Sequence, residues 1–543
     1  MQKSRVNFRE KFSLALQSLG NHESLGTLGD FTAGPRLLLI SIIAIAIGVI
    51  SAFVALILLN LIGLFTNLFF YQRWSTSLVS PAGNHLGVFV VVVPVIGALI
   101  IGLMARYGSE KIRGHGIPEA IESILINGSK IEPKVAGLKP VSAAISIGSG
   151  GPFGAEGPII MTGGAIGSII AQFCHLTSAE RKTLLVAGAA AGMSATFATP
   201  IAAILLAVEL LLFEWKPRSF IPVALASATA AVVRHYIIGP GPLFHVPIQN
   251  NFVDPLALLS CVLVGLLAGL LSLTLTTLVY AFEDAFRLLP IHWMWWPAIG
   301  GVVIGIGGLI FPQALGVGYD TIETLLQGRV TTELILGVLL VKSTIWVVSL
   351  GSGTSGGVLA PLLMMGSALG SLESLFLPYQ GAGFWPLISM GAILGGTMRS
   401  PLTGIIFAVE LTQNYNAFLP LVVAVVVAYA FTVLFMRRSI LTEKISRRGY
   451  HLSREYGTDP LEILFVREVM RTSIVSLPAQ ISLERLKRSL RTDSKHSDGH
   501  HQHLYPVIDQ GQMVGVVTRK DLQRLLQEVE DYPQHQLIEL VKS

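Results

Sequence analysis

The sequence predicts a polytopic α-helical membrane body made of two related halves, followed by a small soluble α/β module. Three observations predict it. Of the 543 residues, 52% are hydrophobic and only 13% charged, with mean hydropathy +0.65, against roughly 25% charged in an ordinary soluble domain. The charge is unevenly placed: 42 Asp, Glu, Lys and Arg residues fall in the first 438 positions and 29 in the last 105, so an apolar body carries a polar tail. The body also repeats itself at an interval of about 200 residues, a mark of membrane transporters and channels.

From the N-terminus, residues 1–35 carry Lys3, Arg5, Arg9 and Lys11 without a compact apolar stretch. That argues against a cleavable signal peptide and for a cytoplasmic N-terminal segment. The transmembrane domain is expected over 36–440, long enough for roughly 14 to 18 segments of about 20 to 25 residues with their connections. Its strongest apolar runs are 37–70, 87–104, 220–233, 255–280, 334–350 and 419–436. The shorter runs 159–173, 184–195 and 200–213, broken by glycine and proline, suit tilted or half-crossing helices. The 55 glycines fit close helix packing and broken helices. After the last run, Arg437, Arg438, Lys444, Arg447 and Arg448 place the exit on the cytoplasmic side, so both termini are expected there, in a multi-pass protein of the cell (inner) membrane. A linker follows at 441–463.

The net charge of +5 is spread over termini and short loops, which reads as topology and not as a nucleic-acid face. Cys174 and Cys261 sit in apolar runs without metal-type spacing, so neither a disulfide framework nor a zinc site is expected.

The repeat has several anchors in one order. Residues 200–210 read almost residue for residue against 401–411, ending at Glu209-Leu210 and Glu410-Leu411, an offset of 201. Gly188 and Gly192 match Gly391 and Gly395 at an offset of 203, and Gly148 to Gly150 with Pro158 match Gly351 to Gly353 with Pro361 at the same offset. The halves are expected at about 36–240 and 250–440, with a site between them.

Glycine loops carry the chemistry. Residues 148–158 place five glycines and Glu156 just before an apolar helix. Such a loop turns sharply, aims several backbone N–H groups at one point and adds the positive end of the helix behind it, which favours an anion. Residues 351–361 repeat the device, and Gly114-His115-Gly116-Ile117-Pro118-Glu119 is a third loop running into a helix. Three helix ends together replace an anion's water shell. Glycine loops that merely permit tight turns are the alternative reading. Glu119 and Glu122 share one helical face near a helix start, which is sufficient reason for them.

The tail, 464–543, alternates strand-like runs (472–477, 504–508, 513–518) with helical ones (481–490, 520–526). Tyr505 to Asp521 resembles a CBS module, in one copy. His496, His500, His501 and His503 read as a solvated loop, with metal binding as the rival.

Together, Gly114 to Glu119, Gly154 to Pro158, Gly357 to Pro361 and the tail resemble the prokaryotic CLC family of chloride channels and proton-coupled anion exchangers, over about 36–526. The resemblance implies an inverted two-fold repeat of tilted and broken helices, one pore per subunit, a homodimer in the lipid bilayer, and chloride or another small anion as cargo. It implies Glu156 as the gating carboxylate, Val358 and Leu359 as backbone donors to a central anion, Ala155 and Gly157 as donors to an outer one, and the loop at His115 and Gly116 as the inner end. Three positions depart from the family. The inner serine is His115, whose imidazole donates a hydrogen bond or titrates near physiological pH. The inner-gate tyrosine is Leu441. The proton-transfer glutamate of exchangers, one residue after Glu209, is Leu210. Glu209 and Glu410 themselves are expected to be structural carboxylates buried by the fold, with Glu209 as a displaced proton carrier the rival.

Leu210 favours passive chloride conduction, with chloride/proton antiport as the alternative and a membrane scaffold bearing a regulatory CBS module as the second. No Walker loop, dinucleotide fingerprint, hydrolase elbow or zincin helix appears in the sequence, so an enzyme is not expected. No cofactor is expected in the body. An adenine nucleotide on the CBS module, touching Thr518 and Asp521, is a candidate ligand, and a single copy is expected to pair with the tail of a second subunit.

Overall fold

The computed structural model describes residues 34–244, 246, 254–450, 474–482, 484–486, 502–527 and 537. Residues 1–33, much of the linker, and His496, His500 and His501 lie outside them. The chain divides into two compact units, Met1–Glu455 and Tyr456–Ser543.

The first half of the body comprises α1 (Arg36–Tyr71), α2 (Val92–Tyr107), α3 (Ile117–Leu125), α4 (Pro133–Gly148), α5 (Glu156–Phe173), α6 (Ser178–Phe197), α7 (Pro200–Leu212) and α8 (Pro217–Ile237). The second half matches it helix for helix: α9 (Pro255–Arg287), α10 (Trp296–Ile310), α11 (Tyr319–Leu326), α12 (Thr332–Gly351), α13 (Leu359–Glu373), α14 (Phe384–Met398), α15 (Pro401–Thr412) and α16 (Phe418–Phe435). A short α17 (Ile440–Arg447) closes the unit.

The lengths follow from the sequence. Among the described residues seven helices are long and apolar enough to cross a membrane, whereas α7, α13, α14 and α15 are apolar but shorter. At 1.5 Å per residue the 36 residues of α1 span about 54 Å, well beyond a hydrocarbon core of about 30 Å, so that helix tilts or extends past the core. Proline stands in the first turn of α3, α4, α7, α8, α9, α10 and α15, where its missing N–H costs no hydrogen bond and its fixed φ starts the helix. Helices α5 and α6 run to 18 and 20 residues, longer than their apolar stretches, because their polar ends stay helical. Thr177 and Glu180 form a capping box that extends α6 by more than a turn. Where α5 crosses α6, Gly163 and Gly188 each face the other's carbonyl so closely that a Cβ on either would strike it.

The two halves run antiparallel to each other. Gly154 and Gly357, from the equivalent loops before α5 and α13, form an antiparallel bridge, with N–H···O distances of 3.1 and 2.8 Å. Glu209 of α7 accepts hydrogen bonds from the N–H groups of Leu402 and Thr403 at the start of α15, and Glu410 of α15 accepts those of Ile201 and Ala202 at the start of α7. Each carboxylate therefore caps the other half's helix. Both side chains are partly buried, less enclosed than expected, because they sit over helix ends whose next residues, Ile201 and Leu402, are exposed.

In the second unit β1 (Leu477–Pro478) lies parallel to β2 (Leu504–Asp509), which pairs antiparallel with β3 (Gln512–Thr518), and α18 (Arg519–Gln527) follows. Its core holds Leu477, Tyr505, Val507, Val517 and Leu522.

Candidate anion pathway

The helix ends that meet at the junction of the halves are positioned by backbone chemistry. Helix α5 makes its first intrahelical bond from Ile159 N–H to the Ala155 carbonyl, 3.0 Å, which leaves the N–H groups of Glu156 and Gly157 without an intrahelical acceptor. Helix α13 begins likewise, with Leu362 N–H to Val358 C=O at 3.3 Å, leaving those of Val358, Leu359 and Ala360. All these residues are buried.

Glu156 enters this gap. Its Oε1 accepts the Ala360 N–H at 3.0 Å, whereas Oε2 has no partner among the described residues. The carboxylate thus sits on a donor at the start of the other half's helix. Ala360, which sequence reasoning passed over in favour of Val358 and Leu359, is the residue that receives it. The side chain has room only because residue 154 is glycine: a Cβ there would run into the Glu156 carboxylate.

The third loop sits one layer away. A Cβ on Gly157 would strike the His115 carbonyl, and Gly116, at φ +89°, approaches the Gly157 carbonyl in return. His115 is buried and its Nδ1 has no partner among the described residues. The Gly116 N–H, expected to face the anion, instead donates to Glu119 Oε2 at 3.0 Å. The same carboxylate pairs with Lys444 of α17 at 2.8 Å and with Arg448 at 3.4 Å. Glu119 is therefore more than a helix-start charge: it spends the loop's N–H and fastens α17 to α3. Glu122 adds a second pair with Arg448. Leu441 is wholly buried, with no hydroxyl to offer.

A buried lysine that sequence reasoning missed holds the loop in shape. Lys139 of α4 donates to the carbonyls of Ile112 and Gly114 at 2.8 and 2.7 Å, and lies 3.3 Å from Ser355 Oγ in the second half's loop. Lys342 of α12 repeats it, donating to Ala314 and Gly316 at 2.9 and 2.7 Å. The spacing Lys139 to Lys342 is 203, that of the glycine anchors, and Gly114-His115-Gly116 recurs as Gly316-Val317-Gly318. This fourth loop was therefore present in the sequence as a repeat partner.

Leu210 is fully buried in α7. Glu209 beside it is committed to α15, its Oε2 also accepting the Thr403 hydroxyl at 2.6 Å. In the second unit Thr518 and Asp521 bind each other: the Thr518 hydroxyl donates to Asp521 Oδ2 at 2.6 Å and accepts the Asp521 N–H at 3.1 Å. This is a cap on α18, a sufficient structural reason for both. No group of three or more metal-ligating side chains exists among the described residues.

Helices that break inside an antiparallel two-fold body and aim their amino ends at one buried carboxylate define a class of inverted-repeat membrane proteins. Residues 96–433 match the voltage gated chloride channel family and residues 466–528 the CBS domain. The chain belongs to the voltage gated chloride channel, or CLC, family. It is 31% identical over 344 residues to the H(+)/Cl(-) exchange transporter ClcA of Salmonella arizonae, covering 60% of this chain and 72% of the relative. It is 28% identical over 349 residues to a ClcB-like chloride channel protein of Ralstonia nicotianae, covering 62% and 81%. Its fold is that of a slow cyanobacterial Cl-/H+ antiporter, with TM-score 0.68 at 22% identity over 77% of this chain and 99% of that one. It is also that of a eukaryotic CLC transporter, with TM-score 0.64 at 19% identity over 91% and 89%.

Proposed function

We propose that this protein transports chloride in exchange for protons, with Glu156 as the gate through which both pass. The observation that carries the reading is the Glu156 carboxylate seated on the Ala360 N–H, where a helix end offers donors to an anion. A charged carboxylate there mimics the cargo and closes the pathway. Once protonated, it loses the charge-assisted bond, leaves, and chloride takes the donors of Val358, Leu359 and Ala360. The N–H groups of Glu156 and Gly157 serve a second anion, and His115 lines the pathway on the α17 side. The proton that released the gate travels opposite to the anion.

Leu210 by itself argues for passive conduction. Exchange is the better reading because several relatives at 31% identity carry the name H(+)/Cl(-) exchange transporter, and because the gate itself is a proton acceptor. Proton access from the α17 side then has to bypass Leu210. The basic residues of α17 and its flanks support a cytoplasmic position for that side, and the subunit works as a homodimer.

The test is to measure chloride and proton flux together in proteoliposomes of the full chain. An outward chloride gradient is expected to drive protons inward against their own gradient. Chloride flux with no proton movement would return the reading to a channel, and no chloride flux would remove both.

A further inference from the structure

The fourth loop belongs to the second half, which the antiparallel repeat turns over relative to the first. Where the first half has Ile117 at the start of α3, the second has Tyr319 at the start of α11, an offset of 202. The Tyr319 hydroxyl is buried and has no partner among the described residues. Its ring is wedged against Phe197 and Phe244, with centroids 6.5 and 6.2 Å away, and its phenol lies within electrostatic reach of Glu156. A cavity of about 150 Å³ is lined by Tyr319 and by Ala155, the residue before Glu156, with Gly318, Thr66 and Ser80 among others. The other hydroxyls there are engaged: Thr66 donates to Ile62 C=O at 2.8 Å, and Ser80 Oγ accepts the Ala82 N–H at 3.4 Å. Asp320, exposed, lines the cavity, and Lys342 is held beside the loop by its two carbonyls. So a buried, unpartnered hydroxyl lines the cavity beside Ala155, and the unpartnered Glu156 Oε2 belongs to the next residue along the chain.

We propose that Tyr319 receives the Glu156 carboxyl group when it swings off the Ala360 N–H, and so holds the gate open. The inference rests on Glu156 being the gate and adds the residue that stabilises its open position. A protonated carboxyl has one O–H to donate and a carbonyl to accept, and a phenol offers the matching acceptor and donor. Without such a partner the released group would leave polar atoms unsatisfied in a largely apolar cavity. Tyr319 is a positioning residue: it acts on the gate and not on the anion.

The test uses the full-length protein in proteoliposomes, with chloride flux measured against pH held equal on both sides. Tyr319→Phe keeps the ring and removes one hydroxyl. The open position then loses a hydrogen bond, and the pH of half-maximal flux is expected to move down by about half to one unit. In a Glu156→Ala background no carboxyl remains to be received, so adding Tyr319→Phe should leave flux within about twofold, which also shows that the variant folds. A wild-type midpoint in Tyr319→Phe, with pH dependence lost in Glu156→Ala, overturns the role of the tyrosine and leaves the gate standing. Equal slowing by Tyr319→Phe in both backgrounds overturns it too, because the hydroxyl would then serve the anion or the fold. Survival of the pH dependence in Glu156→Ala removes the gate reading, and this inference with it.

Discussion

At Glu156 one carboxylate oxygen holds the Ala360 N–H and the other has no partner among the described residues. A single hydrogen bond to a charged group is worth about 1.5 to 3 kcal/mol, enough to seat the gate and small enough for one protonation to release it. Glu156→Gln keeps the shape and removes the titration. That variant is expected to conduct chloride with no pH dependence and no coupled proton movement, read as flux across a range of pH. Retained wild-type pH sensitivity would show that another group is the gate. Gly154 belongs to the same device, because any side chain there would occupy the space of the carboxylate.

At the scale of elements, the reciprocal caps give Glu209 a role that needs no proton. Its carboxylate accepts two backbone N–H groups and one hydroxyl at the start of α15, and Glu410 returns two bonds to α7. Truncation of either leaves orphaned N–H groups at a partly buried helix start. Glu209→Ala and Glu410→Ala are each expected to lose on the order of 2 kcal/mol of stability, measured by unfolding in detergent. Glu209→Gln, which keeps an acceptor, should exchange chloride and protons in the wild-type ratio. Loss of the proton flux alone would make Glu209 the carrier that Leu210 cannot be.

For the whole molecule, the second unit exposes Leu504, Met513, Val514 and Val516 on β2 and β3. A small sheet with apolar side chains in water is covered in a stable assembly, and residues 466–528 match one CBS copy, which a second copy would cover. Residues 466–543 expressed alone are expected to form dimers by mass in solution. A folded monomer would locate subunit contacts in the membrane body instead. Thr518 and Asp521 already satisfy each other, so titration of this fragment with ATP is expected to give little heat.

The membrane body, the two-fold repeat, the glycine loops, and the strands and helix around the CBS motif were legible in the sequence, because composition, periodicity and spacing along the chain carry them, whereas Glu156 was singled out by the resemblance of its loop to the CLC family. Long-range contacts were not legible there. The Glu156 carboxylate meets Ala360 across 204 residues, Glu209 meets Leu402 across 193, and Lys444 reaches Glu119 from α17. The Gly116 N–H, read as an anion donor, proved committed to Glu119, a competition for one hydrogen that loop composition does not reveal. Lys139 and Lys342 stood at the repeat spacing all along, yet a lysine in an apolar run acquires its role only when folding brings two carbonyls to its ammonium. Local pattern specifies which helices form and where they break. Which group faces which broken end is decided by packing the two halves against each other, since each helix end carries donors that its own helix cannot satisfy.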